Sequence, residues 1–250
     1  TLIHDLGSFR RKRLTVLQEI DRLQNSDYLI TLNDSMSAWL QTKGCEVPKG
    51  ELKIWDYLSP AIVLNKIEPA TDYTVVYAGA LGYNKNRLPR QWHLSVYGKG
   101  LEADKILNKE YFSYNGFLPA DQLISSVQGD FGLVWDGDSY EACTGNYGEY
   151  LRYNNPHKVS LYVRCHLPLI IWEKAALAPF IKEKEIGICI NSLEELDGKL
   201  EKLTVDDYFK MKSRVIEISN LLSVGYFFTK ALDEAVKFLT KSDVADEGRN

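Results

Sequence analysis

No stretch of the 250 residues approaches the ~20 consecutive apolar residues of a membrane-spanning helix, so no membrane span is expected. Basic charge is not in excess either. Thirty Lys and Arg against 34 Asp and Glu leave a net charge of −4 and a pI near 5.7. That balance argues against a nucleic-acid partner, which needs a basic face. It leaves room for one local basic pocket. The four cysteines (Cys45, Cys143, Cys165 and Cys189) form no CxxC. A chain of this length builds a core without disulfides, so reduced thiols and a cytoplasmic location are expected. His93 and His166 stand at no metal-ligand spacing from those cysteines. There is no GxGxxG after a strand, no P-loop and no GxSxG. Sequence support is therefore missing for a dinucleotide oxidoreductase, a nucleotide hydrolase or a serine hydrolase. No internal repeat is visible. The opening TLIHD is strand-like rather than a signal peptide, and is expected to lie inside a longer protein.

What is present is an alternation of strands and helices. Strands are predicted over 1–5, 28–32 and 53–57. Between them, Leu14, Leu17, Ile20 and Leu23 give helical spacing up to Gln24. A cap within 33–35 opens a second helix that ends at Gly44. This βαβαβ pattern over 1–58 reads as part of a Rossmann-like domain. Residues 59–72, with Pro60 and Pro69, read as a linker. From 73 to 225, strands are predicted over 74–78, 93–97, 111–114, 132–135, 169–172 and 187–190. Helices are predicted over 121–127, 156–166, 175–184, 193–203 and 206–222. That is the signature of a parallel α/β sheet. A last amphipathic helix spans 226–239, and the acidic tail 242–250 is expected to be disordered.

The stretch around which the rest is organised is NNPHKVSLYVRCHLPLIIW, residues 154–172. Asn155 suits a helix cap and Pro156 the first helical position. Val159, Tyr162, Val163 and His166 then make one buried stripe, and 169–172 a buried strand. Lys158 falls in the first turn, where unpaired N–H groups and a partial positive charge favour a phosphate. A cation there is unfavourable by roughly 0.3–1 kcal/mol unless an anion accompanies it. Lys158 is therefore expected either to face a bound diphosphate or to be a solvated lysine on a surface helix.

GEYLRYNNPHKVSLY followed by LPLIIW resembles bacterial sugar transferases of the β-1,6-galactofuranosyltransferase type. It also resembles the glucosyltransferases that extend glycans on streptococcal serine-rich adhesins. The likeness covers most of the chain, and its most specific part is the Asn-Pro-His-Lys run. It implies a GT-B fold: two Rossmann-like domains with a nucleotide-sugar between them, the N-terminal one partial here, and a C-terminal helix (226–250 with the tail) crossing back to it. It implies transfer of a hexosyl group from a UDP-sugar to a carbohydrate or glycan acceptor, such as a polysaccharide or glycoprotein. No cofactor and no metal are implied, since GT-B enzymes manage without the DxD metal site. A homo-oligomer is compatible with it, as is a location at the inner face of the membrane. A non-catalytic UDP-sugar-binding or scaffolding subunit is the alternative, because about a hundred residues of the family's N-terminal domain precede the point where this chain starts.

The resemblance also assigns residues. In YAGALGYNKNRL, residues 77–88, Gly79 lets backbone approach the donor, and Lys85, or else Arg87, is the basic residue for its phosphate. Ala80 stands where asparagine is usual. Phe117, after Gly116, takes the position that lies against uracil. Asn155 and Lys158 bind the donor, and Lys158 also stabilises the leaving diphosphate. At the end of the first strand, Asp5, with His4 behind it, is the candidate base for the acceptor hydroxyl; a plain turn-capping aspartate is the competing reading. Asp136 and Asp138 are read as capping their loop. Residues 137–153, rich in Gly and Tyr, are read as a lid over the donor. Arg164 and His166 depart from the family's small residues and glycine before the proline.

Overall fold

A computed structural model of the chain describes all residues except 11, 65–71, 82–91, 102–108, 138 and 248–250, and leaves aside the side chains of 242–250. Two parallel sheets organise it. The smaller pairs β1 (Leu29–Thr31) with β2 (Lys49–Glu51), and Leu2 adds a single bridge to Ile30. Around it lie α1 (Gly7–Arg10), α2 (Val16–Gln24) and α3 (Asp34–Thr42). Local chemistry explains these helices. Thr15 and Gln18 make a reciprocal capping box at the start of α2, and the Asn33 side chain accepts from the Met36 N–H at the start of α3.

The larger sheet is built from β3 (Thr74–Ala80), β4 (His93–Lys99), β5 (Phe112–Tyr114), β6 (Phe131–Val134), β7 (Leu169–Trp172) and β8 (Gly187–Ile190). Their order is β5-β4-β3-β6-β7-β8, all parallel. Strand order reverses between β3 and β6, and a doubly wound sheet binds its ligand in the crevice beyond that pair. The helices of this part are α4 (Ala120–Ser126), α5 (Gly145–Tyr150), α6 (His157–Arg164), α7 (Ala178–Lys184), α8 (Leu196–Glu201) and α9 (Val205–Ser223). The last helix, α10 (Tyr226–Glu247), lays Ala231 and Ala235 into the core of the small sheet beside Leu29, Met36 and Leu40. Its first N–H groups, from Phe227 and Phe228, donate to Asp56.

Four expectations need correction. The second strand of the small sheet is Lys49–Glu51 rather than 53–57: Lys53 takes a left-handed φ of 73° and ends the pairing. The apolar look of 53–57 serves other ends, since Ile54 enters the larger core and Asp56 caps α10. Residues 1–5 form one bridge and no strand. Residues 145–150, inside the stretch read as a lid, are helical. Finally, α10 runs on to Glu247 through most of the tail expected to be disordered; its Asp, Ala and Glu residues carry no helix breaker.

Close packing sets where α6 sits. A Cβ at Gly132 would lie 2.3 Å from the Tyr162 ring. Glycine there lets the helix press onto β6 while the Tyr162 hydroxyl accepts from the Ala78 N–H at 2.7 Å. At the other end, Cys165 caps and His166 adopts a left-handed φ of 57°. The Leu167 N–H reaches the Tyr162 carbonyl and the His166 N–H that of Val163, which together make a Schellman motif. A non-glycine residue there costs about 1–2 kcal/mol, and glycine would give back roughly 0.5–1 kcal/mol of that as unfolded-chain entropy. His166→Gly is therefore expected to stabilise by about 0.5–1 kcal/mol, seen as a rise of about 1–4 °C in thermal unfolding. An unchanged or lower midpoint would contradict this. The other departure from family pattern, Arg164, is a buried tie: its guanidinium donates to Ser219 and to the carbonyls of Ser59 and Ala61.

Candidate functional site

Between the two sheets, at the C-terminal ends of both, lies a cleft of about 630 Å³. From the large sheet it receives Gly79 and Ala80 at the end of β3 and Asp136 and Gly137 after β6, the two sides of the strand-order reversal. From the small one it receives His4, Asp5, Arg10 and Trp55. The first turn of α6 stands between these groups.

Lys158 projects toward the large sheet. Its Nζ donates to Asp136 Oδ1 at 2.9 Å and to the Tyr77 hydroxyl at 3.2 Å, and lies 4.8 Å from the centre of the Tyr77 ring. Burial opposes its charge, yet the Asp136 carboxylate outweighs that, so its pKa stands above the ordinary lysine value. A fixed, fully protonated cation thus sits at a helix N-terminus inside the cleft, which is not the solvated lysine of the competing reading.

Asn155 also lines the cleft, but its side chain works elsewhere. It accepts from Asn33 Nδ2 at 2.8 Å and donates to the carbonyls of Leu32, at 2.8 Å, and Lys53, at 3.1 Å. Those carbonyls end the two chain segments that leave the small sheet. Asn155 therefore staples α6 to the N-terminal part, and the cap position itself is Pro156, with no side-chain cap. The expected cap fails because Asn155 is drawn to partners more than a hundred residues away. Beside it, the side-chain oxygen of Asn154 is buried at the cleft without a protein partner.

Asp5 is in the cleft with both oxygens engaged. Arg10 donates to Oδ2 at 2.5 Å and the Tyr150 hydroxyl to Oδ1 at 3.2 Å. Next to it, His4 Nε2 and His157 Nε2 are 3.0 Å apart. Both rings pack on Trp55, each with its centroid 5.0 Å from that of the indole. His157 was missed by sequence reasoning although it stands inside the most specific motif. A signal existed: the chain has only four histidines, and two fall at element ends where an α/β fold puts its ligands.

Gly79 is at the cleft with φ 152°, a conformation suited to glycine. Phe117 is 54% exposed and is not among the cleft-lining residues; Lys99 Nζ lies 4.3 Å over its ring. Lys85, Arg87 and Asp138 lie outside the described residues. The lid expected over 137–153 is anchored rather than free at its far end: Tyr150 is buried in the small sheet's core and its hydroxyl accepts from the Leu6 N–H. Glu173 pairs with Lys182. All four cysteines are buried, and burial pushes Cys165 up to about 12 and Cys189 up to about 11. Among the described residues no group of three or more His, Cys, Asp and Glu is arranged to hold a metal ion, and no helix is long and apolar enough to cross a membrane.

Comparison with known proteins fits this geometry. Residues 75–235 match the family model of the glucosyltransferase 3-like C-terminal domain, and residues 1–54 that of the N-terminal domain. The chain is 32% identical to the β-1,6-galactofuranosyltransferase WbbI of Escherichia coli K12, and 29% identical to glucosyltransferase 3 of Streptococcus gordonii. Each match covers 94% of this chain and 70% of the relative. Among solved structures, Anabaena Alr3699/HepE in complex with UDP superposes with a TM-score of 0.60 at 11% identity, covering 96% of this chain and 71% of that one. The fold is thus GT-B, and the chain belongs to the glucosyltransferase 3-like family of glycosyltransferases.

Proposed function

We propose that the chain transfers a hexosyl group from a UDP-sugar to a carbohydrate or glycan acceptor. The observation that carries this reading is Lys158 with the N-terminus of α6, partly buried at the strand-order reversal between β3 and β6. The diphosphate binds there, with Gly79 allowing backbone to approach it. Lys158 stabilises the charge that grows on the leaving phosphate, so the reading asks for no metal. The buried Asn154 oxygen accepts from a sugar hydroxyl. Uracil stacks on the ring of Phe117, which is 54% exposed. The chain works in the cytoplasm, peripheral to the membrane. The exposed apolar residues of α10, Phe228, Leu232 and Val236, support a homo-oligomer.

Base stacking on an aromatic ring is worth about 1–3 kcal/mol. Phe117→Ala is therefore expected to weaken UDP binding by about 5- to 150-fold in calorimetry; an unchanged affinity would remove Phe117 from the site. The reading as a whole is tested by thermal shift against UDP-hexoses. A ligand at a hundred times its Kd stabilises by about 2.7 kcal/mol, a midpoint rise of about 5–11 °C. No shift with UDP or with any UDP-hexose would refute it.

A further inference from the structure

The first two residues of α6 divide the cleft between them. Lys158 points to Tyr77 and Asp136 on the large sheet, and His157 points to His4 and Trp55 of the N-terminal part. A transferase needs two kinds of chemistry on opposite sides of the donor carbon: positive charge at the leaving phosphate, and a proton acceptor at the incoming hydroxyl. Asp5 is poorly suited to the second task, because Arg10 and Tyr150 already occupy its oxygens. The histidine pair is suited to it.

We propose that His157, hydrogen-bonded to His4, is the general base that deprotonates the acceptor hydroxyl, and that transfer consequently inverts the configuration at the donor carbon. The proposal rests on the UDP-sugar reading given above. The bond balance is simple. The acceptor oxygen forms its bond to the donor carbon as the carbon–phosphate oxygen bond breaks, and that electron pair leaves on UDP. The acceptor's proton goes to Nδ1 of His157. The imidazolium donates through Nε2 to His4 Nε2, 3.0 Å away, and later returns its proton to water. His4 Nδ1 stands 3.5 Å from Asp5 Oδ2, which orients the second ring. His4 and Asp5 are positioning residues, and Trp55 packs against both imidazoles.

The surroundings favour a neutral base. Burial and the neighbouring His4 hold the His157 pKa below the ordinary histidine value; Arg10 adds to this and Asp5 opposes it. Lys158, next in the chain, and the helix N-terminus also present positive charge. Tyr150, on α5, faces Asp5 rather than the imidazole. The base must be unprotonated to work, so turnover is lost as pH falls through this lowered pKa and is full above it.

The test uses the whole chain, UDP-glucose and UDP-galactose as donors, and p-nitrophenyl hexopyranosides as acceptors. His157→Gln is expected to lower kcat by 10²–10⁴, to remove the acid limb of the pH profile, and to recover part of its rate in added imidazole. UDP affinity should stay within about twofold. The wild-type product should be the β-glycoside from these α-linked donors. Fivefold or less loss of turnover with the acid limb intact overturns the proposal, and so does a wild-type product with retained configuration. Should His157→Gln lose UDP binding, His4→Gln reads the same limb: a displaced limb and lower kcat support the pair, and an unaltered profile overturns it. A wild-type chain that transfers nothing removes this proposal, and one that also fails to bind UDP removes the donor reading with it. An active wild type with an unaffected His157→Gln removes this proposal alone.

Discussion

Lys158→Ala is expected to lower kcat by a factor on the order of 10²–10³, the effect of losing one preorganised contact of about 2.7–4 kcal/mol to charge that develops in the transition state. The size follows from partial burial and fixation. Lys158 is held by Asp136 and Tyr77, its pKa is raised, and it stands in the first turn of a helix that lines the same cleft. An ammonium kept in place before the reaction costs no reorganisation as the phosphate leaves. In a solvated position the same substitution would cost almost nothing. Steady-state kinetics distinguishes the two: a fall in kcat larger than the weakening of UDP binding marks a transition-state role, and near-normal turnover refutes it.

Asn155→Ala is expected to act on stability rather than on ligand binding. The side chain satisfies the Leu32 and Lys53 carbonyls and one N–H of Asn33 in a buried position. Each buried group left unpaired costs about 1–3 kcal/mol, and relaxation or entry of water offsets part of the sum. A loss of about 3 kcal/mol lowers the thermal midpoint by about 6–12 °C. UDP affinity at a temperature where the variant is folded should change much less. The opposite pattern, an unchanged midpoint with UDP binding lost, would make Asn155 a ligand contact.

These two neighbours show how far the sequence carries. The place of Lys158 was legible because it is local: a residue in the first turn of a helix whose buried stripe is written in adjacent residues. The strands of the large sheet were legible for the same reason, as buried strands of a parallel sheet read as short apolar runs. Asn155 was not, since its partners lie 102 to 123 residues away in sequence and short-range rules assign it a cap. The 53–57 run looked like a strand by composition, yet pairing depends on a register with β1 that the left-handed Lys53 breaks. Tyr150 looked like part of a mobile loop and is a core residue of the other sheet. His157 and His4 become a pair only once the two sheets face each other across 153 residues of sequence. Single-element chemistry is read from spacing, whereas chemistry shared between the two halves needs the fold.

The most direct test is a transfer assay. The chain is incubated with UDP-glucose, UDP-galactose and UDP-galactofuranose against a panel of glycan acceptors, with UDP release and acceptor mass followed together. Gain of one hexosyl unit on an acceptor for each UDP released is the outcome expected of a UDP-sugar-dependent transferase built around Lys158. UDP-sugars left unbound and unconsumed by the native protein, with no acceptor gaining mass, would refute it.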